Sequence, residues 1–235
     1  MDISGYTLIV GGGSGIGKAA ALVFAKEGAA CVMCRATASN PPFQSEGVHI
    51  DVTIEGSVDM VTRQILVSFG RLDHCVINAG RGRGEEISDA DIAEFRRVMD
   101  VNVTGTFIVT LAVSALVRLN CPTTLQTDVP ESAATCGMIV LVGSGQSFVP
   151  FHGMTQYTAS KHAVLGLTKN AAWHPSELWC PSWVDTPLVA RLNVGTPGLE
   201  GFITQAVANA IIFLSSPRSS YVTGASLIIN GGTML

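Results

Sequence analysis

Charged residues are scarce in this sequence: they make up 14% of its 235 residues, and no basic run that could follow a nucleic-acid backbone is present. The formal net charge of −4 is acidic. Nucleic acid is therefore not an expected partner. Long apolar runs are also missing, because the longest weakly polar stretch, residues 104–117, is shorter than the roughly 20 residues of a membrane-spanning helix. No membrane association is expected.

The six cysteines form no dense framework of the kind that small secreted proteins use. Cys31 and Cys34 have the spacing of a metal or redox pair, but they lie in a strand-like run, where residues three apart point to opposite faces. We expect core packing there, and no metal site. The amino terminus has no basic segment, so the sequence predicts a cytoplasmic protein.

Short apolar runs alternate with helical stretches along the chain, which predicts a single α/β domain over residues 1–235 with a mainly parallel sheet covered by helices on both faces. Strands are predicted at residues 6–10, 30–34, 48–50, 74–78, 138–144 and 226–229. Helices are predicted at residues 17–28, 57–69, 91–119 with a break near Asp100, 155–172 and 200–214. Residues 120–137 are predicted to form a surface loop.

Tyr157 and Lys161 are four residues apart, a spacing that places two side chains on one face of a helix. A lysine ammonium beside a tyrosine favours the phenolate and makes the tyrosine usable as a general acid or base. Ser144 lies upstream, at the end of an apolar run. The pair by itself is also typical of a solvent-exposed helix face, so its interpretation depends on the rest of the chain.

A glycine-rich loop, residues 10–17, joins the first predicted strand to the first predicted helix. Glycines at such a position permit a tight turn and let backbone N–H groups and a helix N-terminus approach a pyrophosphate. The position in the chain favours nucleotide binding over the alternative, a merely flexible turn.

The order of these motifs resembles the short-chain dehydrogenase/reductase family. Gly11, Gly15 and Gly17 match its G-x3-G-x-G cofactor loop, and Ser144 lies thirteen residues before Tyr157. Further matches are Asp51-Val52, Asn78-Ala79-Gly80, Asn102 in the stretch 102–105, and residues 181–186 and 221–224. The resemblance implies a doubly wound Rossmann-type domain and an oxidoreductase that uses NAD(P)(H) on a small-molecule substrate. It also implies a homodimer or homotetramer built through helices 91–119 and 155–172.

The resemblance implies a role for each catalytic residue. Ser144 would donate a hydrogen bond to the reacting oxygen, Tyr157 would pass the proton, and Lys161 would support the tyrosine and hold the ribose hydroxyls. Asn102 would help to hold a proton-relay water near the lysine. The implied cofactor-binding residues are Gly11, Ser14, Gly15, Ile16, Gly17, Arg35, Asp51, Val52, Asn78, Ala79, Gly80, Tyr157, Lys161, Val184 and Thr186.

Arg35 stands where the second strand ends, the position at which an acidic residue would accept the ribose hydroxyls of NAD. An arginine offers a planar fork to a 2′-phosphate instead, which favours NADP(H). NAD(H) is the alternative, with Arg35 as a solvated residue at a strand end.

The substrate site is expected between residues 147–156 and a lid region, residues 187–205. Phe148 and Leu188 supply apolar walls, and His152 and Gln156 supply polar groups. Such a pocket suits the interconversion of a ketone and a secondary alcohol on an apolar cyclic or aromatic substrate. The same residues are equally compatible with ordinary core or lid packing.

The chain departs from the family pattern after the catalytic helix. Only residues 173–180 are available for the return path, and Pro175 and Pro181 remove backbone donors, so we predict a shortened, irregular or missing sixth strand. Residues 36–47 are too short for the usual helix, and residues 202–213 are expected to form one helix. These contractions leave a second hypothesis open, a catalytically impaired nucleotide-binding member of the family. An epimerase or dehydratase is less compatible with this chain length.

Overall fold

A seven-stranded sheet forms the centre of the fold, with the strand order β3-β2-β1-β4-β5-β6-β7. The computed structural model describes residues 3, 5–35, 45–120, 137–171, 177–182, 200–219 and 222–229. Every pairing between the strands in these ranges is parallel. The strands are β1 (Tyr6–Val10), β2 (Ala30–Arg35), β3 (Ser45–His49), β4 (His74–Ile77), β5 (Met138–Leu141), β6 (Glu177–Ser182) and β7 (Ser226–Ile228). The predicted doubly wound α/β fold is confirmed.

Helices cover both faces of the sheet. They are α1 (Gly15–Lys26), α2 (Glu55–Phe69), α3 (Ile92–Met99), α4 (Thr106–Arg118), α5 (Thr155–Ala171) and α6 (Glu200–Leu214). Along β1, Leu8 and Val10 face a core that contains residues of α2, α4 and α5, whereas Ile9 faces a core that contains residues of α1 and α6. Because both faces are buried, the central strands are continuous apolar runs rather than alternating ones.

Helices α3 and α4 join through a π-helical segment, Asp100–Gly105, which confirms the break predicted near Asp100. A Cβ atom added at Gly105 would lie 2.6 Å from Val52 Cγ2, so this segment packs closely against the turn that follows β3. A π turn in an otherwise α-helical run commonly marks a functional site. Asn102 lies in this segment.

The continuous helical stretch Ile92–Arg118, with a mean hydropathy of 1.6, is long and apolar enough by length and composition to cross a membrane. A buried core helix passes the same test, and Val109, Val113 and Val117 are fully buried in the core. The stretch exceeds the sequence-based length because α3, the π segment and α4 continue one another. The expected absence of membrane association stays a prediction.

The sixth strand is present, so of the predicted alternatives a missing strand is wrong and an irregular one is found. β6 spans six residues and is irregular in its pairing: Glu177–Trp179 align with Met138–Val140 of β5, and Cys180–Ser182 align with β7. The prediction assumed that the return path from the catalytic helix ends at Cys180. The strand continues through Pro181 and Ser182, in the half that is in register with β7 alone.

Two other strand boundaries differ from the prediction by three residues. β3 begins at Ser45, earlier than predicted, although Ser45 and Glu46 have low strand propensity. Its register with Cys31–Arg35 of β2 shows that pairing at the sheet edge overrides this propensity. β5 ends at Leu141, so Ser144 lies in the loop beyond the strand rather than at its last residue.

Candidate active site

Two loops meet at the carboxyl ends of β1 and β4, where the strand order reverses and where open parallel sheets bind ligands. The glycine loop follows β1, and Asn78-Ala79-Gly80 follows β4. Asn78 Nδ2 donates to the Gly11 carbonyl at 3.0 Å. Gly11 has φ +86°, and a Cβ atom added there would lie 2.6 Å from the Ala79 nitrogen. The two loops are therefore in direct main-chain contact.

The start of α1 fits a phosphate group. Gly17 packs on the glycine loop so closely that an added Cβ would lie 2.3 Å from the Gly11 carbonyl oxygen. Ser14 occupies the N-cap position in an extended conformation, is exposed, and makes no side-chain capping bond within the described helix. The N–H groups of the first turn are thus left without a capping side chain, an arrangement suited to the pyrophosphate of a dinucleotide. Ile16 is buried beneath them.

Asp51 follows β3 and is held by its neighbour Thr53. Its Oδ1 accepts from the Thr53 hydroxyl at 2.7 Å and from the Thr53 amide at 2.9 Å. These two bonds, the hydroxyl first, lower the pKa of Asp51. Val52 is buried against Gly105, so only its main chain can reach a ligand at this edge.

Tyr157 and Lys161 lie in the first half of α5, as the spacing predicts. The Lys161 ammonium nitrogen is 5.5 Å from the centre of the Tyr157 ring and donates to the Val142 carbonyl at 2.9 Å. Lys161 is 6% exposed. A main-chain carbonyl beyond β5 therefore holds the buried Lys161 side chain beside the tyrosine ring.

Ser144 begins a single 3₁₀ turn, Gly145–Ser147, and is buried. Its Oγ accepts from the Gln146 amide at 3.2 Å, and its own amide donates to Ser147 Oγ at 3.3 Å. Because Oγ acts as an acceptor in this turn, the hydroxyl hydrogen remains for a further acceptor such as a substrate oxygen. Gln146 Oε1 accepts from the Thr158 hydroxyl at 2.7 Å, which ties this turn to α5.

The side chain of Asn102 is fully engaged. Its Oδ1 accepts from the Arg81 amide at 2.7 Å, and its Nδ2 donates to the Arg81 carbonyl at 2.8 Å and to Ser160 Oγ at 2.9 Å. Both amide hydrogens are used, so a relay water can meet Asn102 only at an oxygen. A Cβ atom added at Gly80 would lie 3.6 Å from Asn102 Oδ1 and 3.9 Å from Lys161 Nζ, which places the turn after β4 beside both residues.

The predicted substrate residues differ in accessibility. Phe148 is partly exposed next to the Ser144 turn. The His152 side chain is 90% exposed, and its Nδ1 lies 3.0 Å from Glu86 Oε1. Gln156 is fully buried, and its Nε2 donates to Glu85 Oε2 at 2.8 Å. One hydrogen of the Gln156 amide group is thus committed to Glu85, and the role of Gln156 toward a substrate stays a prediction.

Comparison with known proteins identifies the family. A sequence profile described as short chain dehydrogenase matches residues 6–194. The chain belongs to the short-chain dehydrogenase family.

Full-length relatives support this assignment. Short-chain dehydrogenase fogB of Aspergillus ruber is 45% identical over an alignment that covers 100% of this chain and 98% of the relative. (+)-Borneol dehydrogenase 2 of Salvia officinalis is 31% identical over an alignment that covers 96% of this chain and 87% of the relative. A short-chain type dehydrogenase/reductase structure from Mycobacterium marinum superposes with a TM-score of 0.82 at 26% identity. The superposition covers 98% of this chain and 96% of that structure.

As a short-chain dehydrogenase, the protein is an oxidoreductase of a family that uses NAD(P)(H), binds small molecules and typically forms oligomers. The alignment with the fogB protein has 269 positions against 235 residues here, in keeping with a chain shortened relative to its family. The glycine loop and the start of α1 fit the diphosphate of such a cofactor, which supplies the hydride when bound.

Several predicted residues of this short-chain dehydrogenase are not described. Arg35 ends β2 on the main chain, but its side chain lies outside the described part. Val184, Thr186, Leu188 and the lid region up to residue 199 also lie outside it, so their roles stay predictions. α6 begins at Glu200 and forms one helix, as expected for residues 202–213.

Sequence reasoning missed three polar residues that organise this short-chain dehydrogenase site: Glu85, Glu94 and Ser160. Glu94 lies on α3 among charged neighbours, a pattern typical of a solvent-exposed helix face. The structure buries it, with its Oε1 2.8 Å from Arg81 Nε and its Oε2 3.1 Å from Arg97 Nη1. The only sequence signal was the three-residue spacing from Glu94 to Arg97.

Proposed function

We propose that this protein interconverts a ketone and a secondary alcohol with NADP(H), on a mainly apolar cyclic or aromatic substrate. When bound in its reduced form, the cofactor would supply the hydride, and Tyr157 would donate the proton to the oxygen of the C=O group, which gives the alcohol. The reverse transfers oxidise the alcohol. Solvent restores the proton to Tyr157 through the neighbourhood of Lys161 and Asn102.

The observation that carries the proposal is the buried Lys161 ammonium beside Tyr157, on the same side of the sheet edge as the Ser144 turn. Tyr157 acts as general acid or base, with the Lys161 ammonium beside its ring. Ser144 donates a hydrogen bond to the reacting oxygen and supports the charge that develops there. Lys161 also holds the ribose hydroxyls of the cofactor.

The preference for NADP(H) is argued from the position of Arg35. Cys34 is in register with Val10, so Arg35 follows at the same sheet edge as Gly11. An arginine at this end of β2 suits a 2′-phosphate better than the free ribose hydroxyls of NAD(H).

The substrate class is argued from the loop between the Ser144 turn and α5. Phe148, Val149 and Phe151 expose between 37% and 47% of their surface there, which provides an apolar wall beside the catalytic serine. One relative is named for borneol, an apolar cyclic alcohol, which is in keeping with such a wall.

We also propose that the protein is a cytoplasmic homodimer or homotetramer. On the outer face of α4, Phe107 and Leu111 are one turn apart and 52% and 60% exposed. Large apolar side chains exposed on one helix face favour burial against a second copy. Size-exclusion chromatography with light scattering measures this state directly.

The experiment is a calorimetric titration with NADPH and NADH, followed by turnover assays on cyclic and aromatic ketones. We expect tighter binding of NADPH, and an Arg35→Ser variant whose NADPH affinity falls about tenfold or more while its NADH affinity is little changed. Tyr157→Phe should remove at least about 99% of the activity, within the usual range for a general acid. Tyr6→Phe is the matched control, because Tyr6 stacks on Phe69 at the start of β1.

Full activity in Tyr157→Phe would exclude Tyr157 as the acid. Cofactor binding without turnover on any ketone would favour the catalytically impaired alternative, whose main argument weakened when β6 proved to be present. Absence of binding to both cofactors would contradict the two hypotheses together.

A further inference from the structure

Glu94 is a buried acid that the proposed mechanism does not use. It is 1% exposed and lies on the short helix α3. Arg81 and Arg97 each bind one of its two oxygens, and the pKa of Glu94 is lowered, first by the Arg81 hydrogen bond. A buried carboxylate held in this way is a fixed anchor for the groups that bind it.

The two arginines differ in what their main chains contact. Arg97 lies on α3 itself, three residues after Glu94, and its side chain is exposed on the helix surface. Arg81 lies in the loop after β4, and its amide and carbonyl both bind the side chain of Asn102. The Glu94–Arg81 contact therefore anchors the stretch of main chain that clamps Asn102.

The hydrogen bonds of Asn102 connect the Arg81 main chain to α5. Its Nδ2 donates to Ser160 Oγ, and Ser160 Oγ donates to the Tyr157 carbonyl at 2.7 Å. Ser160 is fully buried and directly precedes Lys161. Hydrogen bonds linked by the Arg81 side chain thus connect Glu94 to the turn of α5 that contains both Tyr157 and Lys161.

We propose that Glu94 is a positioning residue for Asn102 and, through it, for the α5 turn that bears Tyr157 and Lys161. This inference rests on the proposed function, because its effect on turnover presupposes proton transfer by Tyr157. Displacement of a catalytic group by about 1 Å lowers turnover by up to about a hundredfold, with little effect on groups that only bind substrate.

The test compares Arg81→Gln with Arg97→Gln. Each variant removes one of the two cations from Glu94, and both arginine side chains are at least half exposed, so similar losses of stability are expected. Arg81→Gln should lower kcat about tenfold and leave KM within about twofold. Arg97→Gln should keep kcat within about twofold. Arg81→Lys, which retains a cation for Glu94, should recover part of kcat.

A double variant tests whether the effect passes through Glu94. Glu94→Gln should lower kcat as Arg81→Gln does, and the two changes combined should cost no more than either alone. Equal losses in Arg81→Gln and Arg97→Gln, an unchanged kcat in Arg81→Gln, or additive losses in the double variant would each overturn the proposal.

Hydrogen exchange provides a readout that is independent of turnover. The amide of residue 81 donates to Asn102 Oδ1, so its exchange should accelerate about tenfold or more in Arg81→Gln and in Glu94→Gln, but not in Arg97→Gln. If the wild-type protein binds no cofactor, the proposed function fails while this comparison still decides the positioning role. Unchanged exchange at residue 81 in both variants would overturn it.

Discussion

The two halves of the site are held together in different ways. On the cofactor side, glycines let the main chains of the loops after β1 and β4 approach closely, and Asn78 Nδ2 donates to the Gly11 carbonyl. On the catalytic side, the Ser144 turn, Asn102 and the start of α5 are joined by polar side chains. The first half depends on the absence of side chains at particular positions, whereas the second depends on hydrogen bonds between buried polar side chains.

This difference decides what each half tolerates. A main-chain contact has no rotamer to change, so an added methyl group must displace backbone. A side-chain network accepts isosteric replacements but loses free energy when one partner becomes unpaired. The predictions below test this difference between the two halves, beginning with the largest expected effect.

Gly17→Ala should have the largest effect. The new Cβ would lie 2.3 Å from the Gly11 carbonyl oxygen and must push the glycine loop away from α1. We expect a loss of about 1–3 kcal/mol in the free energy of unfolding, typical of overpacking, and at least a tenfold loss of NADPH affinity. Urea denaturation and calorimetry measure the two quantities.

Gly56→Ala on α2 is the matched control for that change. No atom lies within 4 Å of an added Cβ at Gly56, so the free energy of unfolding should stay within about 0.5 kcal/mol or rise. Equal losses in both variants would remove the argument that the glycine loop depends on close main-chain approach.

Acidification should have the next largest effect on the stability of the protein. The pKa values of Glu94 and Asp51 are lowered in the folded protein, so each stabilises it above its ordinary pKa of about 4 and stops doing so as the pH falls through the lower folded value. The free energy of unfolding should therefore fall on acidification below about pH 5. Glu94→Gln should be less stable at pH 7 and show a shallower acid slope, measured by urea denaturation between pH 3 and 7. Parallel pH curves for the two proteins would contradict this.

Glu85→Gln should have a moderate effect. The Glu85 carboxylate accepts from the buried amide of Gln156 and pairs with Arg83, so loss of its charge should lower the free energy of unfolding by about 1–2 kcal/mol. Glu86→Gln is the matched control, because the contact of Glu86 with His152 is exposed and should contribute less than about 0.5 kcal/mol. A larger loss of stability in Glu86→Gln than in Glu85→Gln, measured by denaturation, would contradict the stabilising role of the contact between Glu85 and Gln156.

Ser14→Ala should have the smallest effect on stability. Because the Ser14 side chain makes no capping bond to α1, the free energy of unfolding should change by less than about 0.3 kcal/mol. NADPH affinity should still fall about two- to tenfold through the loss of one hydrogen bond. Asp91→Ala is the comparison: Asp91 accepts from the Ala93 amide at 2.9 Å and its loss should cost about 1 kcal/mol. A destabilised Ser14→Ala would show that Ser14 is a structural cap.

The same contrast explains which parts were predictable. Gly11 and Gly17 stand in the sequence at the point where the first strand meets the first helix, so a main-chain requirement was visible as residue type and spacing. Glu85 and Glu94 have no such mark, because a charged residue on a short helix or loop normally faces water and only tertiary packing buries it. The path of β6 was also misjudged, since Pro181 argues against an interior strand until its partner β7 is known.

The π-helical segment Asp100–Gly105 is less stable than a regular α-helix but positions a functional residue. Its i→i+5 bonding accommodates one residue more than an α-helical turn, and α4 still keeps its apolar face on the core. Deleting one residue there would join α3 and α4 into a regular helix with better hydrogen bonds, but would move Asn102 away from Arg81 and Ser160. A chain selected for stability alone would favour that deletion. The extra residue in the segment therefore lowers stability and is retained because it positions Asn102 in the site.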